Sequence, residues 1–431
     1  MLHMISTGSA GRKRALAYGS AALVLTATFS APAAITAATN PGSVVLHPPE
    51  PTGPHPVGRT ELHLVDPGRG HPWAEGSDDR DLTVSVWYPA VDGGEERAPY
   101  MTRSLQGTLR SELEQVGLHR DTVDLESSRA NALLDADAAV DAGPFPVVLF
   151  SPGFRMNRFL NTSNAEELAS HGYAVVSMDH TYETPAVDLP DGRVIRTRVP
   201  DTETETYQEA IAVRTADARF VLDQVAELAA GRNPDVDGRE LPAGLGGSLD
   251  TDALGMFGHS AGGLTTAETM LVDDRIDAGV DLDGTLSYHT GDGVWADSTL
   301  EGADRPFAIL DAGLSGIRRL PHNSGYNEAF QRFVQASSAP VLELYTADGE
   351  HMGYTDHQWI LPALAEVHRP DSNAWHEAVE AGIGTIDPEE SVRTQRAYIT
   401  AFFDAHLRGE DAPLLDGPSA DFPAVEFVEQ P

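Results

Sequence analysis

Residues 255–263 read GMFGHSAGG and contain the pattern G-x-S-x-G, with Ser260 at its centre. A short apolar run, residues 254–257, leads into the pattern, and residues 264–272 follow it with a helix-compatible composition. Glycines two positions before and after a serine permit a sharp strand-to-helix turn that holds the hydroxyl in strained geometry at the head of a helix. The amides at that helix N-terminus favour developing negative charge. The pattern therefore predicts that Ser260 is a catalytic nucleophile.

Short apolar runs recur on both sides of this motif and alternate with stretches of helical periodicity. Helical spacing of apolar residues is clear over residues 203–230 and 389–407. The runs that we interpret as buried strands are residues 146–150, 173–178, 254–257, 278–282, 307–310 and 341–345. Strands that alternate with helices predict an α/β fold whose central sheet is mostly parallel and is covered by helices on both faces.

A serine nucleophile needs a base, and in folds with this turn the acid and then the base follow the serine along the chain. His351 lies in ADGEHMG, residues 347–353, a turn-rich segment directly after the strand 341–345. Because catalytic groups collect on loops at strand ends, we predict that His351 is the base, with His357 as the alternative.

Two aspartates are candidates for the acid that orients the base. Asp283 follows the strand 278–282 and precedes a glycine, whereas Asp311 ends the next strand within ILDAG, residues 309–313. Asp281 lies two residues before Asp283, deeper in its strand. Both strand ends are places where catalytic groups collect, so position alone does not separate Asp283 from Asp311.

An oxyanion hole requires one amide directly after the nucleophile and a second from an early strand-end loop. The first is the backbone N–H of Ala261. The second is predicted at Phe154, because FSPGF, residues 150–154, is a buried strand ending in a glycine turn.

The composition excludes several classes of function. The 431 residues include 66 Asp and Glu against 29 Lys and Arg, a formal net charge of -37, which disfavours nucleic acids and anionic membranes as partners. Lys13 is the only lysine, so 28 of the 29 basic residues are arginines. There is no cysteine, which excludes disulfides and cysteine nucleophiles. No HExxH pattern accompanies His351 and His357, and GLGGS at 244–248 is an incomplete dinucleotide motif, so no metal or cofactor is predicted.

The chain is divided by these patterns into a leader and one domain. Residues 1–38 are predicted to be a signal peptide, because Arg12 to Arg14 precede an uncharged apolar run and small residues that offer cleavage within 33–40. Residues 39–56 form a Pro/Gly-rich leader, and residues 57–431 form a single domain. Within that domain the helical and polar pattern of residues 100–140 indicates a possible cap insertion.

Six stretches together resemble the platelet-activating-factor acetylhydrolase family, particularly its secreted actinobacterial relatives. They are VVLFSPGF at 147–154, ELASHGYAVV at 167–176, DHTYE at 179–183, GHSAGG at 258–263, VDLDG at 280–284 and GEH at 349–351. The resemblance implies the α/β-hydrolase fold, favours Asp283 over Asp311 as the acid, and assigns the second oxyanion amide to Phe154. Pro152 departs from the family, since the animal enzymes carry His there, but this difference does not affect the backbone amide of Phe154. The family needs no metal.

The function implied by these residues and this resemblance is that of a secreted serine carboxylic-ester hydrolase acting on short-acyl esters or on oxidised or short-chain phospholipids. The alternatives are a cutinase-like polyester hydrolase or a general lipase, because a fold does not determine its substrate. A catalytically silent hydrolase-fold binding protein is the alternative from another class. The expected partner is a small-molecule or lipid ester, with no nucleic acid and no stable membrane span. The sequence leaves the oligomeric state open.

Overall fold

The computed structural model describes residues 42–430 except 75, 77–78, 94–95, 116–117, 290, 317 and 369–372. The predicted signal peptide, residues 1–38, lies outside the described residues. No helix in the described part of the chain has both the length and the hydropathy that crossing a membrane requires.

The described residues form fifteen strands and nine α-helices. The strands are β1 (Val57–Asp66), β2 (Arg80–Pro89), β3 (Arg97–Pro99), β4 (Arg129–Leu134), β5 (Phe145–Ser151), β6 (Ala174–Asp179), β7 (Ala186–Asp188), β8 (Val194–Arg196), β9 (Leu249–His259), β10 (Ala278–Leu282), β11 (Phe307–Ala312), β12 (Leu314–Ser315), β13 (Leu320–Pro321), β14 (Val341–Thr346) and β15 (Glu426–Phe427). The helices are α1 (Arg103–Gln115), α2 (Thr162–Ser170), α3 (Thr204–Ala229), α4 (Ala261–Val272), α5 (Asp297–Glu301), α6 (Glu328–Ala336), α7 (His357–His368), α8 (Asn373–Ile383) and α9 (Pro388–Leu407).

Eleven of these strands form one sheet in the order β15-β14-β11-β10-β9-β5-β6-β2-β1-β4-β3. The six strands from β14 to β6 run parallel to one another. Antiparallel pairing begins outside them, at β2 on one side and β15 on the other. The prediction of a mostly parallel central sheet is therefore confirmed, and the carboxyl ends of its six parallel strands meet at one edge.

Alternate residues of β5 face two different layers of helices, because successive side chains of a strand point to opposite faces. Val147 and Leu149 belong to a core with apolar side chains of α3, α4 and α6. Val148 and Phe150 belong to the other core, with side chains of α1, α2, α7, α8 and α9. Helices thus cover both faces of the sheet, which explains why these central strands read as continuous apolar runs.

The helical pattern predicted over residues 100–140 extends only through α1. Beyond it, residues 129–134 form β4, which pairs parallel with β1 and antiparallel with β3 near one edge of the sheet. The sequence analysis did not predict β4, because a strand of six residues is too short for its alternation of polar and buried apolar side chains to stand out within a helical pattern. A role for residues 100–140 as a cap over a site stays a prediction.

Residues 42–56, the described part of the Pro/Gly-rich leader, lie against the domain. Leu46 is buried and its amide donates a 2.8 Å hydrogen bond to Ser128 Oγ. The Thr52 amide donates to a Glu167 carboxylate oxygen at 2.9 Å. Arg396 of α9 donates to the carbonyls of Pro49 and Glu50, each at 2.8 Å. The leader is therefore held in place by α2 and α9.

Candidate active site

Ser260 lies in the turn between β9 and α4 with strained backbone geometry, φ 57° and ψ -117°. The turn is closed by glycines at positions where a side chain has no room. A Cβ on Gly258 would lie 2.1 Å from the carbonyl carbon of Gly262, and one on Gly262 would lie 1.9 Å from the Ser151 carbonyl oxygen. A Cβ on Gly263 would lie 1.6 Å from Asp281 Oδ1. The sequence pattern therefore corresponds to a nucleophile elbow in which the glycines allow α4 to pack onto β5 and β10.

Asp283 and His351 form a direct hydrogen bond, with 2.5 Å between His351 Nδ1 and Asp283 Oδ2. Asp283 follows β10, and His351 follows β14, so both extend from the same edge of the sheet as Ser260. The Ser260 amide donates to the Leu282 carbonyl at 2.9 Å, which fixes the serine beside the end of β10. Because the Asp283 carboxylate accepts the proton of Nδ1, Nε2 of His351 is left as the acceptor.

The Asp283 carboxylate is held ionised by two further donors. Its Oδ1 accepts from His322 Nδ1 at 3.2 Å and from the Ala312 amide at 2.8 Å. Burial alone would raise the pKa of Asp283, but His322 and His351 hold it well below its usual range. A carboxylate in this state suits the stabilisation of an imidazolium, as the acid of a catalytic triad does.

Asp311, the other candidate acid, makes no comparable contact. Neither of its carboxylate oxygens has a hydrogen-bond partner among the described residues. Burial raises its pKa well above the usual range, and the neighbouring Asp283 raises it further. Asp281 is likewise buried with a raised pKa, and its Oδ1 accepts from the Gly284 amide at 2.9 Å. It is Asp283, and neither Asp281 nor Asp311, that contacts His351.

His259, the residue before Ser260, supports the loop that carries His351. Its Nε2 donates to the His351 carbonyl at 2.9 Å, and the two imidazole rings lie 4.6 Å apart between centroids. Since a carbonyl only accepts, Nε2 of His259 carries the proton. Burial lowers the pKa of His259 to about 3, with a smaller contribution from the charge of His351. His259 is therefore a neutral structural link between the turn at Ser260 and the loop that carries His351.

Ser260 and His351 do not form a hydrogen bond with each other in the described structure, and the His351 side chain is 30% exposed. Catalytic hydrogen bonds are often long before substrate binds and shorten in the reacting complex.

His357, the alternative base, begins α7 and its Nδ1 lies 2.9 Å from Thr355 Oγ1. Burial lowers the pKa of His357 to about 4. His357 makes no contact with the candidate acid among the described hydrogen bonds.

Phe154 and Ala261, whose amides are the candidate oxyanion donors, come from neighbouring parallel strands. Ser151 of β5 pairs with Gly258 of β9, and each candidate residue lies three positions further on. Both side chains belong to one buried apolar cluster. Neither amide donates a hydrogen bond to another described residue outside the regular helix bonding. The two loops are thus adjacent, and both donors are left free.

One group of ligating side chains lies close enough together to hold a cation among the described residues: Asp283, Asp311 and His322, with ligand atoms within 4.8 Å of one another. His322 Nδ1 is already engaged by Asp283. His322 is also the residue of this site that the sequence did not single out. It follows the short hairpin of β12 and β13, and no local motif marks it.

The mostly parallel sheet, the elbow at Ser260 and the strand-end Asp–His pair define the class of α/β-hydrolases. The chain belongs to the platelet-activating factor acetylhydrolase, isoform II family, whose sequence profile matches residues 46–288. The probable 1-alkyl-2-acetylglycerophosphocholine esterase of Arthroderma benhamiae is 27% identical over 410 residues, covering 91% of this chain and 96% of the relative. The platelet-activating factor acetylhydrolase of Cavia porcellus is 28% identical over 157 residues, 32% of this chain and 35% of the relative.

A solved structure, the ferulic acid esterase from Streptomyces cinnamoneus, superposes with a TM-score of 0.70. It shares 32% sequence identity and covers 90% of this chain and all of its own. The predicted α/β-hydrolase fold and the predicted family are confirmed by these relationships. The protein is a carboxylic-ester hydrolase.

Proposed function

We propose that the protein hydrolyses carboxylic esters through a Ser260–His351–Asp283 triad. The observation that carries this proposal is the bond between His351 Nδ1 and Asp283 Oδ2, at the sheet edge where Ser260 sits in its strained turn. His351 Nε2 accepts the Ser260 proton as Oγ attacks the ester carbonyl carbon. The Asp283 carboxylate stabilises the imidazolium that this transfer creates.

The amides of Phe154 and Ala261 then bind the carbonyl oxygen as it becomes negative. His351 returns its proton to the departing alcohol, which leaves Ser260 acylated. Water attacks the acyl-enzyme with His351 again as base, and breakage of the bond to Oγ releases the carboxylic acid and restores the serine.

Substitution Ser260→Ala tests the triad together with a fluorophosphonate probe. We expect wild-type protein to hydrolyse p-nitrophenyl acetate and to be labelled by the probe at Ser260. Both properties should be lost in the variant, with kcat lowered by roughly 10³-fold or more. Labelling without turnover would contradict the esterase mechanism, and absence of both from wild-type protein would favour the silent binding protein. Thermal unfolding of the variant controls for its folding.

Short-acyl esters, including phospholipids with a short or oxidised second acyl chain, are the proposed substrates. The family and the relative from Arthroderma benhamiae, which carries an acetylglycerophosphocholine esterase name, support this class. Rates on p-nitrophenyl acetate, p-nitrophenyl palmitate, a short-chain choline phospholipid and a polyester film separate the alternatives. Activity confined to the film would indicate a cutinase-like enzyme, and a preference for palmitate a general lipase.

Esters of aromatic acids are a second candidate substrate class, because aromatic side chains surround the candidate oxyanion loop. The Phe154 ring meets the Tyr207 ring edge-on, with 5.1 Å between the ring centroids. The centroid of the Tyr288 ring lies 6.4 Å from that of Tyr207. Tyr288 and Trp73 are only partly buried on this cluster. Exposed aromatic faces stack on a planar aryl group, and the neighbour of known structure is a ferulic acid esterase. A higher kcat/KM on methyl ferulate than on p-nitrophenyl acetate would support this class.

We also propose that the protein is secreted, on the basis of the charged and apolar pattern in residues 1–38. Protein collected from the culture medium should begin between Ala34 and Asn40 by N-terminal sequencing. A mature chain that keeps the apolar run would contradict cleavage.

A further inference from the structure

A buried polar cluster lies directly beneath the loop that carries Phe154, and the mechanism above makes no use of it. Its central pair is Arg214 of α3 and Glu183, whose side chains are 0% and 1% exposed. Arg214 Nε donates to Glu183 Oε2 at 2.8 Å, and Nη2 donates to Glu183 Oε1. Burying a charged pair is costly unless its remaining donors and acceptors are satisfied. The partners that satisfy this pair are therefore informative about its role.

Arg214 also donates to the backbone of the loop that carries Phe154. Nη1 donates to the Pro152 carbonyl at 2.7 Å, and Nη2 donates to the Gly153 carbonyl at 2.9 Å. On the other side of Phe154, the amide of Arg155 donates to Glu183 Oε1 at 2.9 Å. The Arg214–Glu183 pair thus forms a clamp that holds the backbone immediately before and immediately after Phe154.

The geometry of the peptide unit links this clamp to the reaction. The carbonyl of Gly153 and the N–H of Phe154 belong to one planar trans peptide, so they point in opposite directions. A guanidinium that binds the Gly153 carbonyl on the inner side therefore turns the Phe154 N–H outward, and that amide is left without a partner in the described structure. Arg155, next in the chain, has φ 59°, a left-handed conformation that the bond from its amide to Glu183 stabilises.

We propose that Arg214 and Glu183 are positioning residues for the oxyanion amide of Phe154, an inference that rests on the proposed function. They touch no reacting atom. They fix the orientation of a donor before the substrate arrives, so that no reorientation is needed as negative charge develops. Arginine is suited to this role because its planar fork reaches a carboxylate and two carbonyls together, which a lysine does not.

A second arrangement in the cluster holds the start of the same loop. Ser151 Oγ lies 2.9 Å from His180 Nε2, and His180 Nδ1 lies 2.9 Å from Asp217 Oδ2. Burial alone would raise the pKa of Asp217, but Arg80 and His180 hold it well below its usual range, so Nδ1 of His180 carries the proton. Ser151 then donates to Nε2. The order is that of a Ser–His–Asp triad, but all three side chains are buried, and Ser151 Oγ also accepts from Arg214 at 3.3 Å. Ser151 thus has a structural role, in which its hydroxyl holds the start of the loop in place.

Arg214→Met and Arg214→Lys, with Arg396→Met as a matched control, test the clamp. Arg396 is also a buried arginine; it donates to two adjacent carbonyls, Pro49 and Glu50, and lies 3.4 Å from the Glu167 carboxylate. It holds the leader and not the oxyanion loop. Steady-state kinetics on p-nitrophenyl acetate, the rate of fluorophosphonate labelling and thermal unfolding are measured for each variant and for Ser260→Ala.

We expect Arg214→Met to lower kcat about 10- to 100-fold with KM changed by less than about threefold, because the donor acts on the developing oxyanion. The labelling rate should fall by a similar factor, since the phosphonyl oxygen uses the same donors. Arg396→Met should lose thermal stability but keep kcat within about threefold. Arg214→Lys, which retains the charge beside Glu183, should recover part of the lost kcat.

Three results would overturn the inference. They are a folded Arg214→Met or Arg214→Lys variant with wild-type kcat and labelling rate, a loss that appears only in KM, and an equal loss of kcat in Arg396→Met. If Arg214→Met does not fold, Arg214→Lys decides by the same criteria. Full activity of Ser260→Ala would refute the proposed function itself, which distinguishes that failure from failure of the clamp alone.

Discussion

At the scale of single residues, burial and hydrogen bonding give chemically identical carboxyl groups different charges. Asp283 accepts from two imidazoles and a backbone amide, which keeps it ionised. Asp311 is equally buried without a partner among the described residues, and burial together with the neighbouring Asp283 raises its pKa, which favours its neutral form. Position along the chain did not separate the two aspartates, because each follows a parallel strand at the same sheet edge. The distinction depends on which carboxylate meets His351 and His322, and that is decided by tertiary structure.

Asn substitutions at these two positions should therefore have opposite consequences. Asp283→Asn removes the charge that, in the proposed triad, orients and stabilises His351, so we expect kcat on p-nitrophenyl acetate to fall roughly 10³- to 10⁴-fold. Asp311→Asn replaces a neutral carboxyl with a neutral amide of the same shape, so kcat should stay within about threefold and stability within about 1 kcal/mol. Equal losses in the two variants would contradict the assignment of the acid.

His259 makes folding sensitive to acid. The pKa of His259 is lowered to about 3 by burial, so its neutral form is favoured in the folded protein. Its contribution is fully present above the unfolded pKa, near 6.5, and is lost as pH falls through that value toward 3. Linkage gives about 2 kcal/mol of stability lost by pH 5.

His259→Gln tests this contribution, since the amide keeps a donor for the His351 carbonyl and does not titrate. Between pH 7 and pH 5, the free energy of unfolding by urea should fall by about 2 kcal/mol less in this variant than in the wild type. The exposed His47→Gln variant, a matched control, should follow the wild type. Parallel pH profiles of all three proteins would rule out His259 as the acid-sensitive group.

At the scale of elements, close packing of glycines rather than hydrophobic burial determines the elbow. The G-x-S-x-G pattern and its strand–helix context predicted the turn, because only a residue without Cβ fits where α4 meets β5 and β10. The same kind of reasoning missed β4, since a strand of only six residues is too short to stand out from the helical pattern around it when read locally. Its place is set by pairing with β1 and β3, both of which lie well before it in the sequence.

Gly262→Ala should disrupt the contact between the turn at Ser260 and the end of β5. The added Cβ would lie 1.9 Å from the Ser151 carbonyl oxygen, so β5 and α4 must move apart. We expect a destabilisation of about 1–3 kcal/mol in urea unfolding, with kcat lowered because the loop after Ser151 carries Phe154. Gly247→Ala is the control, as nothing lies within 4 Å of its Cβ. A variant at Gly262 with unchanged stability and rate would show that the turn relaxes without cost.

At the scale of the whole molecule, the sequence indicates which core the apolar side chains enter better than it indicates the hydrogen bonds between buried polar groups. Leu82, Val84, Val86 and Tyr88 alternate with other residues along β2, and all four lie in one core, with Trp87 in the opposite core. The clamp at Arg214 and the hairpin carrying His322 were not predicted, because they join segments that no local pattern connects. The periodicity of apolar residues can be read within one short segment, whereas a buried hydrogen bond depends on where distant parts of the chain meet.

The net charge of -37 gives the whole molecule a dependence on salt. Several arginines are committed to buried contacts, among them Arg80, Arg158 and Arg214, and so do little to offset the acidic exterior. Like charges on the surface repel more strongly in the folded state than in the expanded chain, and salt screens this repulsion, since the Debye length falls from about 10 Å at 0.1 M to about 3 Å at 1 M. We therefore expect the thermal unfolding temperature to rise by several degrees between 0.05 and 1 M NaCl.

Sucrose of equal osmolality distinguishes screening from general osmolyte stabilisation, because it is excluded from the surface but carries no charge. Screening predicts most of the gain by about 0.5 M NaCl and a smaller gain in sucrose. Replacing exposed acidic side chains such as Asp223 and Glu227 with their amides should weaken the salt effect in proportion to the charge removed, although each also pairs with an arginine. A stability that falls steadily as salt approaches 1 M would contradict screening of repulsion between the acidic surface groups.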